Sequence, residues 1–314
     1  MLGTCTALAL LWLQFTSLWG SIINDPNLER TTTHKPMKSL YELNKLSTAR
    51  YPQAKCIDGT PGSYYLKPAI PLHNHSFLIV FDAGGWCWDF KDCEMRGHTM
   101  LGSSSDYIKR RDFKWGLTDV THGSSIIADF NIIVVMYCDG GSFAGSIDRD
   151  LVTPTSNKTL HFRGKDIREA VIDDLLKTKG LAQAKEVVVG GRSAGALAVF
   201  MGLDAVAAQI KQVVPGASIV GLMDSGIFPD QASPLNEAIS LYDAQGRREA
   251  VGRDLHLDYG TSMRSIAHWM KLEAGSNAAC LASPTATTKP CHFAEHVAKF
   301  IETPFFVLQS QYDS

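Results

Sequence analysis

The sequence predicts an α/β fold in which a doubly wound, mostly parallel β-sheet is flanked by helices. Five short apolar runs recur along the chain, and they are rich in β-branched and aromatic residues. They do not alternate with polar residues, which is typical of strands buried on both faces. Helical stretches separate several of them, and such alternation gives a layered α/β sandwich. The runs are residues 77–81, 132–137, 187–189, 219–223 and 305–308.

Two segments between these runs are predicted to be helices. The apolar face of the first consists of Ile167, Ala170, Val171 and Leu175. These positions follow a helical period, and Gly180 is expected to end the helix. Residues 194–210 are rich in Ala, Leu, Val and Met, which indicates a second, well-buried helix. The polar segment 102–128 is expected to cross the surface near the strand ends.

Composition excludes several classes of protein. The chain has 314 residues, of which 45% are apolar and 20% charged, and this excludes a disordered chain, a collagen-like fibre and a coiled coil. Its net charge of −2 gives no indication of a nucleic-acid or anionic-membrane partner. The longest apolar block, residues 7–13, is much shorter than the roughly 20 residues of a membrane span. The sequence therefore predicts a globular protein without a membrane span.

The N-terminus predicts export. Residues 1–20 resemble a secretory signal peptide, because an apolar core is followed by small residues at Gly20 and Ser21. No Lys or Arg precedes that core, and a buried N-terminal helix is the alternative. Residues 21–50 are polar and predicted to be a flexible segment, and residues 51–314 form the predicted domain. The chain is therefore expected to be secreted.

The cysteines are consistent with an oxidising compartment. The seven are Cys5, Cys56, Cys87, Cys93, Cys138, Cys280 and Cys291. Removal of the leader leaves six, which allow 15 connectivities. Short spacings favour Cys87–Cys93 and Cys280–Cys291, and Cys56 and Cys138 are then left to pair. The sequence contains no Cys-x-x-Cys spacing, so the cysteines do not indicate a zinc site.

Two sequons allow N-glycosylation if the chain is secreted. They begin at Asn74 and Asn157, and each has the Asn-x-Ser/Thr pattern. Each pattern is only three residues long and by itself is a weak indication of glycosylation.

The sharpest local pattern is Gly191-x-Ser193-x-Gly195, between an apolar run and an Ala-rich segment. A serine at a tight strand-to-helix turn is exposed for nucleophilic attack, and its neighbours must be small. The Ala194 amide, at the start of the helix, is positioned to bind an oxyanion. An ordinary turn with a helix-capping serine is the alternative.

A nucleophilic serine needs a second oxyanion donor, usually from the loop after an earlier strand. The run 77–81 is followed by Asp82-Ala83-Gly84-Gly85-Trp86. Glycines there allow the backbone amides of Gly85 and Trp86 to face a ligand. Trp86 is also a candidate wall of an acyl pocket. The alternative is a tight turn closed by Cys87–Cys93.

A triad also needs an acid, which in the chain order Ser…Asp…His follows a late strand. Asp313 comes shortly after the last apolar run, at this position. Asp224 ends an earlier run and is the second candidate.

Several stretches together resemble the pectin acetylesterase/Notum family. They are residues 56–65, 82–88, 137–145, 187–196, 224–226 and 303–313. The resemblance implies a secreted α/β-hydrolase that removes acyl groups from ester-linked carbohydrate or protein. It assigns Ser193 as nucleophile, Asp313 as triad acid, and the amides of Gly85, Trp86 and Ala194 as oxyanion donors.

Within this family, residues 137–143 are more similar to the plant acetylesterases, which favours acetyl esters of a polysaccharide or glycan such as pectin. A Notum-like protein lipid deacylase and an inactive carbohydrate-binding relative are the alternatives. Two positions depart from the family pattern. Arg192 stands where a small residue is usual, and Ala196 stands where a glycine is common.

The resemblance places the catalytic histidine beyond the acid, on a loop after a further strand. All histidines of this chain precede Asp313: His34, His73, His75, His98, His122, His161, His256, His268, His292 and His296. We therefore expect a sequence that is incomplete at its C-terminus and lacks the last strand or strands, or else an inactive relative. Without a base the serine hydroxyl stays protonated and is a poor nucleophile.

A zinc protease is the rival enzyme class, because His292-x-x-Glu295-His296 has the spacing of an inverted zincin. An apolar stripe of Phe293, Val297 and Phe300 instead favours an ordinary amphipathic helix leading into the last strand. The sequence therefore predicts no metal and no cofactor.

Overall fold

A computed structural model describes residues 41–119, 126–153, 156–230 and 259–310. All of them belong to one unit of the chain, Ser39–Ser314. The predicted signal peptide lies outside the described residues.

The described residues form ten strands and six α-helices. The strands are β1 (Tyr41–Lys45), β2 (Ser63–Lys67), β3 (Ser76–Phe81), β4 (Arg110–Arg111), β5 (Asn131–Val135), β6 (Leu151–Val152), β7 (Thr159–Leu160), β8 (Glu186–Arg192), β9 (Ser218–Asp224) and β10 (Phe305–Leu308). The helices are α1 (Phe90–Arg96), α2 (Gly164–Thr178), α3 (Ala194–Val213), α4 (Tyr259–Met270), α5 (Ala278–Leu281) and α6 (Ala294–Val297).

Eight strands form one sheet in the order β10-β9-β8-β3-β5-β2-β1-β4, and β6 and β7 form a separate pair. The five strands from β10 to β5 are parallel, whereas β2, β1 and β4 add antiparallel pairings. The five apolar runs of the sequence are these five parallel strands, so the prediction of a mostly parallel sheet is confirmed. Every residue of β3 is buried, as expected for a strand covered on both faces.

Helices α2 and α3 cover one face of the sheet, and both confirm the sequence prediction. Ile167 and Val171 of α2 are fully buried in the core beneath these helices. Gly180 adopts a left-handed φ of 82° shortly after α2 ends, which a glycine accommodates without strain. Helix α3 is long and apolar enough to cross a membrane, but 72% of its most apolar stretch is buried inside the fold. Its composition therefore reflects a core position.

A second apolar layer covers the opposite face of the sheet. The segment after α1 carries Tyr107 and Phe113 onto Tyr65 and Val134, and all four are buried. The predicted surface segment 102–128 is thus, in its described part, a cover for this face.

Strand β1 corrects one prediction. It lies within the segment 21–50, which the sequence predicts to be flexible. Residues 41–45 form a strand instead, so the prediction is wrong for them. The strand pairs with β2, and the hydroxyl of the fully buried Tyr41 donates to the Thr118 carbonyl at 2.8 Å. Polar residues occupy three of its five positions, Glu42, Asn44 and Lys45, so the sequence shows no regular apolar alternation there.

Three disulfides join the described cysteines as Cys56–Cys138, Cys87–Cys93 and Cys280–Cys291. Two of them are the pairs that short spacing favours, and Cys56–Cys138 is the pair that this leaves, so the expected pairing is confirmed. Cys56–Cys138 closes the longest loop, since its partners are 82 residues apart. Cys87–Cys93 ties the loop after β3 to helix α1.

We expect Cys56→Ser/Cys138→Ser to lower the free energy of unfolding more than Cys280→Ser/Cys291→Ser does. The reason is that cross-linking a longer loop constrains the unfolded chain more, and removal of such a bond costs about 2–5 kcal/mol. Urea unfolding of both variants measures the difference. Equal losses, or free thiols at Cys56 and Cys138 in the native protein, would contradict the prediction.

Candidate active site

Ser193 lies on a sharp turn between β8 and α3. Its φ of 53° and ψ of −124° form a strained backbone conformation for a residue with a side chain. The Ser193 amide donates to the Asp224 carbonyl at 2.8 Å, which holds the turn against the end of β9. This strand–serine–helix geometry is the one that exposes a nucleophilic hydroxyl at the top of a parallel sheet.

Small residues on both sides of Ser193 are required by close packing. A Cβ atom added at Gly191 would overlap the backbone of Gly195, and one added at Gly195 would overlap the carbonyl oxygens of Phe81 and Asp82. The turn and the end of β3 are therefore in direct backbone contact.

The start of α3 offers a free amide beside the serine. Ala194 is the first residue of the helix, and the first amides of a helix have no intrahelical acceptor. Within the described residues the Ser193 hydroxyl makes no hydrogen bond, and it does not cap the helix. A hydroxyl and an amide are thus left beside each other at the positive end of the helix dipole.

The glycine-rich loop after β3 approaches the same place. In the β3–β8 register Phe81 is paired with Gly191, which lies two residues before Ser193. The loop after Phe81 therefore begins at the same edge of the sheet as the serine turn. Gly85 adopts a φ of 61°, which favours glycine. Gly84 packs so closely on the Tyr137 ring that a Cβ atom would overlap it. The predicted oxyanion donors therefore belong to neighbouring strand ends.

Arg192, one departure from the family pattern, lies on the sheet face away from α3. Its guanidinium is 3.7 Å from the Asp82 carboxylate and lies 4.1 Å from the centre of the Trp115 ring. Burial raises the pKa of Asp82. Arg192 thus packs against an aromatic ring and a buried acid, and its side chain does not disturb the turn.

An aromatic cluster lies beside the glycine-rich loop. The Trp86 ring contacts Phe228 at 5.0 Å and Tyr259 at 5.4 Å between ring centres, and Trp88 is next to it at 5.8 Å. The Trp86 indole donates to the Ser142 hydroxyl at 2.9 Å, which fixes the ring. These rings offer an apolar surface for an acyl group. Sequence analysis identified Trp86 but missed Phe228 and Tyr259.

Of the two candidate acids, only Asp224 lies within the described residues. It ends β9, its backbone carbonyl accepts from the Ser193 amide, and its side chain accepts from the Ser225 hydroxyl at 3.0 Å. Asp313 lies outside the described residues, and its assignment as triad acid stays a prediction.

The zincin-like spacing does not form a zincin helix. Helix α6 begins at Ala294, so His292 precedes it while Glu295 and His296 lie on it. Glu295, His296 and Asp230 do offer ligand atoms within 4.8 Å of one another. The Asp230 carboxylate, however, already binds the Arg264 guanidinium at 2.5 Å. A cation there would therefore lie beside an arginine that already neutralises one of the three ligand residues.

Asp139 is a buried acid in the segment that follows β5. One carboxylate oxygen accepts from the amides of Gly141 at 3.0 Å and Phe143 at 2.8 Å. Burial raises the pKa of Asp139 from 3.8 to about 6, and those two hydrogen bonds oppose the shift. The folded protein therefore holds this proton more tightly than the unfolded chain does.

We expect the free energy of unfolding of the wild-type protein to fall, relative to that of Asp139→Asn, as pH rises from about 4 to 6. The comparison with the variant is needed because the lowered pKa of the buried His292 stabilises both proteins as pH rises. The raised pKa of Asp139 favours the folded state while the group is protonated, and its ionisation costs up to about 3 kcal/mol. Asp139→Asn should remove this loss, whereas Asp106→Asn, at an exposed position, should keep it. Urea midpoints at pH 4 and 6.5 measure both. An unchanged pH slope in Asp139→Asn would contradict the prediction.

A serine turn at the carboxyl edge of a mostly parallel sheet, with a glycine-rich loop on the adjacent strand, defines an α/β-hydrolase-like fold. The family model described as Pectinacetylesterase matches residues 34–314. The chain belongs to the pectinacetylesterase family.

Two groups of relatives are similar to the chain. Pectin acetylesterase 11 of Arabidopsis thaliana is 33% identical over 268 residues, covering 83% of this chain and 59% of the relative. Pectin acetylesterase 7 of the same plant is 31% identical with the same coverage. Palmitoleoyl-protein carboxylesterase notum2 of Xenopus laevis is 27% identical over 295 residues, covering 93% of this chain and 55% of the relative. The chain thus spans less than two thirds of the length of these relatives.

Proposed function

We propose that the protein is a secreted serine carboxylesterase that removes acetyl groups from a polysaccharide or glycan such as pectin. The observation that carries this proposal is the Ser193 hydroxyl on a strained turn beside the Ala194 amide, neither of which has a hydrogen-bond partner among the residues that the structure describes. Membership of the pectinacetylesterase family supports the same chemistry. The plant relatives named pectin acetylesterase support the acetyl ester as substrate.

In the proposed mechanism the Ser193 oxygen attacks the ester carbonyl carbon, and a histidine base takes the hydroxyl proton. The amides of Gly85, Trp86 and Ala194 bind the oxyanion that forms on the carbonyl oxygen. Collapse of this intermediate expels the sugar alkoxide, which takes the proton from the histidine and leaves an acyl-serine. Water then attacks the acyl-serine by the same steps and releases the carboxylic acid. Asp313, with Asp224 as the alternative, orients the histidine.

The base of the proposed triad is a histidine. Within the described residues no histidine is hydrogen-bonded to Ser193. We therefore infer that residues 1–314 by themselves turn over esters at least about 1,000-fold more slowly than a protein with the complete triad, since only the oxyanion hole and substrate binding remain. Hydrolysis of p-nitrophenyl acetate by the 314-residue chain tests this. Rapid, Ser193-dependent turnover would contradict it and would identify one of the ten histidines as base.

The aromatic cluster favours a second candidate substrate. Trp86, Phe228 and Tyr259 form a cluster of three mutually packed rings, which is the kind of lining that a longer acyl chain needs. The palmitoleoyl-protein carboxylesterases among the relatives support a longer acyl chain. A lipid-modified peptide is therefore the alternative to an acetylated glycan.

Secretion is supported by three disulfides, which form and persist in oxidising compartments. Asn74 and Asn157 are both exposed and thus accessible to glycosylation. Intact-mass measurement of material secreted by a eukaryotic host, before and after glycosidase treatment, tests both parts of the inference.

The substrate is tested by direct comparison in the full-length protein. Acetate release from acetylated pectin should exceed release of a long acyl chain from an acyl-serine peptide at equal ester concentration. The reverse order would favour the lipid deacylase. No Ser193-dependent release from either substrate would overturn the proposed esterase function.

A further inference from the structure

Three consecutive carbonyl groups of the glycine-rich loop are held by two side chains. The Arg96 guanidinium donates from Nη1 to the Gly84 carbonyl at 2.5 Å and from Nη2 to the Trp86 carbonyl at 2.7 Å. The Tyr137 hydroxyl donates to the carbonyl between them, that of Gly85, at 2.5 Å. No mechanistic role proposed above involves Arg96 or Tyr137.

Holding these carbonyls determines where the amides point. The Gly84 carbonyl and the Gly85 amide belong to one planar trans peptide group, in which C=O and N–H point in opposite directions. The Gly85 carbonyl and the Trp86 amide form the next such group. The Gly85 amide therefore points away from Arg96, and the Trp86 amide points away from the Tyr137 hydroxyl. Within the part of the chain that the structure describes, neither amide donates a hydrogen bond.

We propose that Arg96 and Tyr137 are positioning residues that orient the two oxyanion amides of this loop before substrate binds. The inference rests on the proposed function, and it names the residues that prepare the oxyanion site. Preorganised donors stabilise the transition state because no reorganisation is needed when charge develops on the oxygen.

The direction of the Tyr137 hydrogen bond is fixed by its surroundings. Its oxygen accepts from the Ser142 amide at 2.9 Å, so its single proton is available for the Gly85 carbonyl. The side chain is fully buried, and the ring lies directly against Gly84. Tyr137 therefore cannot rotate away without leaving the buried Ser142 amide and the partly buried Gly85 carbonyl without these hydrogen bonds.

Arg96 is fixed from the other side of the loop. It is the last residue of α1, and the disulfide Cys87–Cys93 joins this helix to the residue after Trp86. The planar guanidinium spans the Gly84 and Trp86 carbonyls with two separate nitrogens. A lysine has one compact ammonium and does not reproduce this fork.

Kinetics of the full-length protein test the role. Arg96→Lys and Tyr137→Phe should each lower kcat about 10- to 100-fold with KM changed less than about 3-fold, since only transition-state binding is lost. Affinity for an alkylboronic acid, which forms a tetrahedral adduct with the serine, should fall in parallel. Tyr65→Phe is the matched control, because its hydroxyl donates to the Ile108 carbonyl at 2.8 Å on the opposite sheet face. Arg110→Lys, at an exposed ion pair, controls for the arginine.

Amide relaxation by NMR tests the orientation independently of activity. The Gly85 and Trp86 amides should be rigid in the wild-type protein and in Tyr65→Phe, with order parameters of about 0.85, and mobile or exchange-broadened in Arg96→Lys and Tyr137→Phe. Unchanged rigidity in both variants, or kinetic losses no larger than those of Tyr65→Phe, would overturn the inference. Absence of Ser193-dependent hydrolysis would overturn the proposed function instead, and the relaxation result would still decide whether these residues orient the loop.

Discussion

Replacement of Ser193 by alanine should lower the hydrolysis of p-nitrophenyl acetate by the full-length protein at least about 1,000-fold. The oxygen that attacks the ester is removed, and only the oxyanion amides and substrate binding are left to act on a water molecule. KM should change little, because the aromatic cluster around Trp86 is untouched. A fluorophosphonate that labels the wild-type protein should fail to label Ser193→Ala.

Ser218→Ala is the matched control for this variant. Ser218 is an exposed serine at the opposite end of β9, and its replacement should leave both turnover and labelling unchanged. Peptide mapping of the labelled wild-type protein should locate the phosphonate on Ser193. Unchanged turnover in Ser193→Ala, or a label on another serine, would show that this residue is not the nucleophile.

Gly195→Ala should abolish activity and lower the free energy of unfolding by at least about 3 kcal/mol, the upper range of overpacking losses. The added methyl group would overlap the carbonyl oxygens of Phe81, the last residue of the buried strand β3, and of Asp82, the next residue, and backbone atoms cannot give way as a flexible side chain can. Relief would require β3 and α3 to move apart, which would also separate Ser193 from the glycine-rich loop. Urea unfolding and p-nitrophenyl acetate hydrolysis measure the two effects.

Gly216→Ala tests whether such losses are specific. Gly216 lies in the turn between α3 and β9, and no atom lies within 4 Å of the position that its Cβ would occupy. The same substitution should there change stability by less than about 1 kcal/mol and leave turnover intact. A stable, active Gly195→Ala protein would mean that the turn and β3 are not in close contact.

The parallel half of the sheet could be predicted from sequence because its strands are buried on both faces and form uninterrupted apolar runs. Strands β1, β2 and β4 were missed for two reasons. Polar residues such as Glu42 and Arg110 occupy exposed positions of β1 and β4, and β2 begins and ends with the buried polar residues Ser63 and Lys67. The serine turn was predicted for a different reason. Its constraints act between Gly191, Ser193 and Gly195, which are only four residues apart along the chain.

The supporting residues of the site could not be predicted, because their contacts join distant parts of the chain. The bond from Tyr137 to Gly85 spans 52 residues, and the Trp86–Ser142 bond spans 56. No local pattern marks Arg96 either, since a basic residue at the end of a helix is common without any such role. Only the tertiary fold brings these side chains to the loop.

The contact of Gly195 with the end of β3 has a consequence for how substrate preference diverges among related proteins. That strand end leads directly into the loop of Gly85 and Trp86, so displacement of either turn would carry the other with it. The backbones of the two turns are therefore coupled, whereas side chains beside the loop such as Phe228 and Tyr259 can change without displacing either turn. In the proposed esterase a preference for a different acyl group would therefore arise from these side chains, with the glycines unchanged.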